Sequence, residues 1–416
     1  MKTLKKLAYA LLIVGCLCVL AWCGIILVRT VFPVTMQPQV LDLQELFEEK
    51  EQELPREEEP VQEEPVEEVP QTVSAREQAA AYLQTMTMSE KLWQLILTTP
   101  DSLTGVPGAT EAGQMTKQAL AQMPVGGLCY FSANLEDKAQ ISAMLSGVQE
   151  FSKTPLFLAV DEEGGVVSRL STVEDLGIGN IGAAAEFRSS QAVYDAACGL
   201  APKMKELGFN LNFAPVADLA VEGNTEIGSR AYSAEAEVVA EYSAAMVRGL
   251  QEHGVAACLK HFPGHGWAQS DSHEGKSVAV RTIHELRQEE FTAFRGGVEA
   301  GVRFVMMSHL TNEALSAHPS SLSEETVSLL RKELGFGGII ITDSLQMRAI
   351  VDTYTSSQAA VMAIAAGCDM LLMPNDPQKA YDGLATAVLD GTISQQRIDE
   401  SVLRILTTKY EMGVME

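Results

Sequence analysis

Val255-Ala256-Ala257-Cys258-Leu259 is an apolar run that passes directly into Lys260-His261-Phe262-Pro263-Gly264-His265-Gly266, and Asp271-Ser272-His273 follows shortly after. Five apolar residues closed by Pro and Gly predict a short buried strand over 255–259, ending where the polar cluster begins. Gly264 and Gly266 allow backbone angles that other residues resist, so the loop can turn tightly and bring its side chains inward. Three of the chain's seven histidines lie between residues 260 and 273. A surface loop with structural glycines would account for one histidine. A cluster of this density at a strand's C-terminal end points to function, because parallel α/β folds place their chemistry there.

Working outward, short apolar runs recur at 125–131, 156–160, 210–216, 304–307, 338–342 and 370–373. Helical periodicity fills most of the gaps, for example over 235–253 and 282–299. Residues 79–97 also read at helical spacing, with Ser89 placed to cap a second helix. Strands alternating with helices over about 340 residues imply a parallel sheet. The predicted fold class is α/β: a (β/α)8 TIM-type barrel, perfect or imperfect, preceded by a transmembrane helix and a disordered acidic linker. An open doubly wound sheet is the structural alternative. No Gly-x-Gly-x-x-Gly follows the first strand, which disfavours a nucleotide fold.

Polar residues gather at the strand ends. Val160 runs into Asp161-Glu162-Glu163-Gly164-Gly165 with Arg169 beyond, and Val216 leads to Asp218. Arg230 lies in a polar loop soon after. Met307 is followed by Ser308-His309, Thr342 by Asp343-Ser344, and Met373 by Pro374-Asn375-Asp376. Such a ring is what a barrel active site requires. Any one of these residues could instead cap the next helix, and that reading suits Asp376 and Ser344.

Lys-His-Phe-Pro-Gly-His-Gly followed by Asp-Ser-His resembles the signature of glycoside hydrolase family 3, in its bacterial β-N-acetylglucosaminidase branch. The resemblance runs from about residue 75 to the end of the sequence. Asp161 to Gly165 with Arg169, Asn212 to Asp218, Ile227 to Tyr232, Ile341 to Met347 and Ala366 to Leu372 are each similar to a family segment. Three positions depart from the pattern. Val166 stands where an arginine is usual, Trp267 replaces an acid, and Lys276-Ser277 replaces Leu-Pro.

The resemblance implies a retaining glycosidase. Such an enzyme needs a nucleophile to hold the departing sugar and an acid to protonate the leaving oxygen. Asp343, at the end of a β-branched strand, takes the nucleophile's position. The acid in this branch is a histidine on a mobile loop, which by residue match is His273. Imidazole titrates near neutrality, and Asp271, two residues earlier, can hold one ring nitrogen. Asp161, Arg169, Arg230, Lys260 and His261 match sugar-binding positions. No cofactor is implied. The spacing of His261, His265, Asp271 and His273 follows no metal motif, so no metal is expected.

The ends of the chain carry different signals. A formal net charge of -25 argues against nucleic acid as a partner. Residues 1–34 read as a membrane anchor or signal segment. Lys2, Lys5 and Lys6 precede a mainly apolar run over 7–28, with Arg29 after it. Twenty-two residues at about 1.5 Å each can cross a bilayer core. The lysine excess places the N-terminus inside and the rest outside, giving a single-pass cell-membrane protein with an extracytoplasmic catalytic domain. A cleaved signal peptide and a lipoprotein box at Ile13-Val14-Gly15-Cys16 are the rivals. Residues 35–73 form a Glu/Pro-rich linker. Thirteen acids against Lys50 and Arg56, between Leu41 and Pro70, give a local net of -11, and such a segment cannot bury a core. The remaining residues, 74–416, are the predicted catalytic barrel. Cys129, Cys198, Cys258 and Cys368 are scattered in apolar contexts and read as small core residues.

The expected substrate is a glycan containing N-acetylglucosamine, trimmed from cell-wall peptidoglycan fragments. A catalytically silent wall-binding protein and a family β-glucosidase or phosphorylase are the alternatives. Intact Asp343, Asp271 and His273 favour a hydrolase.

Overall fold

The computed structural model describes residues 73–416, Gln269 excepted. The expected membrane segment at 7–28 and the linker at 35–73, apart from Val73, lie outside the described residues. Among the described residues no helix is long and apolar enough to cross a membrane.

Eight parallel strands form the sheet: β1 (Ile96–Thr98), β2 (Gly127–Tyr130), β3 (Phe157–Val160), β4 (Leu211–Asn212), β5 (Ala256–Phe262), β6 (Phe304–Met307), β7 (Ile339–Thr342) and β8 (Leu371–Leu372). Each pairs with its neighbour in sequence, and β1 also pairs with β8 through Ile96↔Leu371 and Leu97↔Leu372. The circle closes between β7 and β8. Ile341 bridges to Met370, the Thr342 N–H donates to the Met370 carbonyl at 3.1 Å, and the Leu345 N–H donates to Leu372 at 2.9 Å. The barrel alternative therefore holds over the open sheet. Helices cross over between strands, among them Lys138–Phe151, Ser190–Leu207, Ala236–Glu252, Glu290–Glu299, Glu324–Glu333 and Ser356–Ala366.

The strands are apolar because both their faces are covered, by helices outside and by packed side chains within. Every residue of β3, β5, β6 and β7 is buried. Inside the barrel Phe157 and Phe304, the first residues of β3 and β6, meet edge to face with centroids 5.0 Å apart. The C-terminal helix Gln395–Glu411 inserts Lys409 beneath them. Its Nζ donates to Gln94 Oε1 at 2.7 Å and lies 5.0 Å from the centre of the Phe157 ring. Burial without a counter-charge pushes this ammonium down to about 7.

Local sequence sets the helix starts. Ser74 with Glu77, Thr87 with Glu90, Thr282 with Glu285 and Thr355 with Gln358 each form a reciprocal capping box. The second helix is therefore capped by Thr87. Ser89 lies inside it and hydrogen-bonds the Tyr381 hydroxyl at 2.8 Å. Strand β1 follows that helix within two residues, so the helical reading of 79–97 missed it. Leu95-Ile96-Leu97 continues the apolar pattern without a break, and periodicity cannot divide a buried helix end from a three-residue strand. The periodic stretch 282–299 is two helices, Ile283–Gln288 and Glu290–Glu299. Cys129, Cys258 and Cys368 are buried and Cys198 is half-buried, all as free thiols.

Candidate active site

At the C-terminal ends of the strands lies a cavity of about 430 Å³, lined by Asp161, Glu163, Arg169, Arg230, Lys260, His261, His273 and Asp343 among others. Seven of the eight residues expected from sequence thus share one pocket. Asp271 does not line it but holds His273 from behind.

The pocket has a fixed charged floor. Strand β5 extends beyond Leu259 and carries Lys260 and His261 itself, with a register shift between Lys260 and Phe262. The Lys260 ammonium lies 2.7 Å from Asp161 Oδ1 and 2.6 Å from Glu163 Oε1. Glu163 also receives Arg230 in a two-pronged pair, Nε to Oε2 at 2.8 Å and Nη2 to Oε1 at 2.9 Å. Burial opposes ionisation of Glu163. Lys260 and Arg230 outweigh it and hold the carboxyl down at about 2. The same two acids push Lys260 above its usual range against its own burial. Arg169 lies 5.9 Å from the centre of the Phe131 ring, and its buried Nε has no partner in the protein.

His261 is oriented by a buried acid. Asp218 Oδ2 accepts from His261 Nδ1 at 2.7 Å, and the carboxylate also takes the backbone N–H groups of His261 and His265. Burial alone would raise the Asp218 carboxyl, but His261 and His265 hold it below its ordinary value. With Nδ1 engaged, Nε2 is the ring nitrogen His261 offers to the cavity.

Asp343 follows β7 directly. Its backbone N–H donates to the Met307 carbonyl at 2.8 Å, and its Oδ1 accepts the Ser344 N–H at 2.7 Å. Burial disfavours its charge, yet His261, the Ser344 N–H and Lys260 keep it below the usual carboxylate range. The side chain is thus a half-buried anion facing the cavity, an arrangement suited to a nucleophile. Ser344 belongs to this wall and caps no helix: its carbonyl accepts from His309 Nε2 at 2.8 Å. Asp376 does cap, accepting the Lys379 N–H at 3.0 Å.

His273 rises from a half-buried loop opposite. Its Nδ1 lies 2.9 Å from Asp271 Oδ1, which also takes the His273 N–H at 2.7 Å. Glu226, from the loop after β4, approaches the same Nδ1 at 3.4 Å. The imidazole is pushed up to about 9, by Glu226 first, then by Asp271 and Asp343, against its partial burial. One polar side-chain atom each of Glu226, Asp271 and His273 lies within 4.8 Å of the others. Both carboxylates converge on one ring nitrogen, with Asp271 the nearer acceptor of its proton.

Sequence reasoning passed over Glu163, Asp218 and Glu226 as site residues. Glu163 stands in the same acidic run as Asp161, and Asp218 stands two residues after an apolar stretch, so both were within reach. Glu226 follows no strand and had no local signal. Among the departures, Val166 is 75% exposed, while its neighbour Val167 lines the cavity. Trp267 stacks on the Arg281 guanidinium at 4.5 Å, and Lys276 pairs with Glu313 at 3.6 Å.

Residues 87–408 match the glycosyl hydrolase family 3 N-terminal domain. A β-hexosaminidase of Stenotrophomonas maltophilia is 34% identical over 330 residues, covering 74% of this chain and 98% of that protein. One from Nitrosomonas eutropha is 35% identical over 272 residues, 64% of this chain and 77% of its own. Among solved structures, a family 3 β-N-acetylglucosaminidase from Paenibacillus superimposes with a TM-score of 0.73 at 34% identity, over 79% of this chain; the match spans 63% of the Paenibacillus chain. A family 3 glycosyl hydrolase of Mycobacterium smegmatis gives 0.69 at 31% identity, over 78% of this chain and 97% of that one. By its barrel, its strand-end residues and these relatives, the chain belongs to glycosyl hydrolase family 3, in the company of the β-hexosaminidases.

Proposed function

We propose that the protein is a retaining exo-β-N-acetylglucosaminidase that removes terminal N-acetylglucosamine from peptidoglycan fragments outside the cytoplasm, tethered by residues 7–28. The observation that carries the reading is the pairing of a half-buried, ionised Asp343 with an Asp271-held His273 across one pocket.

In the first half-reaction an Asp343 oxygen attacks the anomeric carbon. The bond to the leaving oxygen breaks, and His273 Nε2 gives that oxygen its proton, leaving a glycosyl ester on Asp343 and a neutral imidazole. In the second, His273 takes a proton from water, the oxygen attacks the anomeric carbon, and the Asp343 carboxylate is released. Asp161, Lys260, Arg230, His261 and the unpaired Nε of Arg169 supply charge and donors for sugar hydroxyls and the acetamido group.

The test is turnover of a panel of chromogenic glycosides by the full chain in detergent, with water or phosphate as acceptor. Preference for the N-acetylglucosaminide, with free sugar as product, is expected. Comparable rates on the glucoside would refute the specificity, and a sugar phosphate as main product would refute hydrolysis.

A further inference from the structure

Glu226 belongs to no strand end. It sits four residues before Arg230, in the loop after β4, and reaches across to the loop that carries His273. Its Oε1 accepts from Ser272 Oγ at 3.2 Å and lies 3.4 Å from His273 Nδ1. Its Oε2 faces the Ser272 N–H at 3.4 Å and His265 Nδ1 at 3.7 Å. Asp271 occupies the same imidazole nitrogen at 2.9 Å. Carboxylates from two separate loops therefore converge on one ring nitrogen, which can donate its single proton fully to only one of them. Asp271 is the nearer acceptor. That leaves Glu226 two other roles, holding the loop through Ser272 and adding negative charge beside the ring.

We propose that Glu226 is a positioning residue: it docks the His273 loop through Ser272 and supplies a second negative charge that keeps the proton on that imidazole. Three anions face the ring, Asp271 from its own loop, Glu226 from the loop after β4 and Asp343 from the end of β7, while Arg230 and Lys260 lie across the same cavity. The upward displacement of the imidazole, with Glu226 its largest cause, agrees with the geometry. Glu226 itself stays ionised at about 2: burial opposes its charge, and His273, His265 and His261 outweigh that cost. The docking is reinforced at the far side, where the Ser272 carbonyl accepts the Ala349 N–H at 3.3 Å.

The inference rests on His273 acting as the acid, and its test separates the two claims. The full chain and its Glu226→Gln, Glu226→Asp and Ser272→Ala variants are compared in two measurements. One is the NMR titration of the His273 ring, assigned by its loss in His273→Gln. The other is the pH dependence of kcat/KM on an N-acetylglucosaminide with a poor leaving group. Glutamine can still accept from Ser272 but carries no charge. It should lower the imidazole midpoint by about one pH unit, the lower end of what a neighbouring charge does. The alkaline limb of kcat/KM should move with it. Aspartate should restore most of both, and Ser272→Ala should raise KM severalfold without moving the midpoint. An unmoved imidazole midpoint in Glu226→Gln overturns the role given to Glu226. A midpoint that moves while the kcat/KM limb stays fixed supports that role and instead overturns the assignment of His273 as the acid.

Discussion

On the proposed mechanism, replacing His273 by alanine should separate the two half-reactions. The side chain is 64% exposed, so its loss leaves no cavity, and the cost to stability is that of its solvent-exposed ion pairs with Asp271 and Glu226, about 0.2–1 kcal/mol. Its proton affinity sets the scale of the catalytic effect. With the imidazole at about 9, nearly every molecule holds the acid at pH 7, and about one in a hundred holds the free base. Glycosylation is therefore well supplied with acid, and deglycosylation is short of base. In the glycosyl-enzyme Asp343 is an ester and no longer adds its charge beside the ring, so in the parent enzyme kcat on a nitrophenyl glycoside should climb from pH 7 and level off below 9. In His273→Ala a poor leaving group loses the acid outright, a loss of about 10²–10⁴ in kcat/KM, or roughly 3–5 kcal/mol. A nitrophenolate departs with little need of a proton, so its glycosylation should fall far less. The second step then limits, and stopped-flow should record a burst of phenol equal to the enzyme present. Azide needs no base and should restore turnover, yielding the glycosyl azide. Equal loss on both leaving groups, with no burst and no rescue, would reduce His273 to a binding residue.

Four further outcomes are expected. Asp343→Asn should abolish turnover on every substrate whatever its leaving group; a variant that keeps several per cent of activity would remove Asp343 from the nucleophile's role. Glu163→Gln should cost about 3–5 kcal/mol in urea unfolding, because Lys260 and Arg230 lose their shared buried partner, and a loss under 1 kcal/mol would refute that account. Lys409 has a folded value of about 7, so between there and its ordinary 10.4 the unfolded chain binds a proton that the folded one does not, and stability should rise with pH across that window; Lys409→Met should flatten the rise and add about 1–4 kcal/mol at pH 7, and an unchanged slope would sink the argument. Protease added to intact cells should release a soluble, active fragment by cutting within 35–73, and full protection would overturn the proposed orientation.

The sequence made the barrel legible wherever a strand had both an apolar run and a polar terminus. Six strands met that condition, and 125–131 was legible from its apolar run alone. Strand β1 did not, since it follows its helix without a turn residue. Strand β5 was read three residues short because Lys260 and His261 looked like loop, although both are buried in the strand with their polar ends in the pocket. Most residues that touch the pocket are marked by their motifs, although Glu163 and Glu226 also line it and sequence reasoning passed over both. Those that act through another residue were harder to see. Asp218 and Glu226 are separated from their histidines by 43 and 47 residues, and only the barrel's circular order brings them together.

The site divides its electrostatics between a fixed part and a titrating part, and the fold explains the division. Asp161, Glu163, Lys260 and Arg230 lie on strand ends or the loops that follow them, where desolvated charges must be paired to persist. Across the same cavity His261 foremost, with His309, the Ser344 N–H and Lys260, holds Asp343 below the usual carboxylate range although burial opposes it. The acid has the opposite need. It must gain and lose a proton in every cycle, so its imidazole stands on a half-exposed loop where water can reach it. An imidazole in such a position would titrate near 6.5 and be mostly neutral at pH 7. Asp271 and Glu226 raise it, favouring bond cleavage and slowing release of the sugar from Asp343. On the proposed mechanism the two carboxylates would thus set which half-reaction limits turnover, while the pocket's fixed charges would keep the proposed nucleophile ionised.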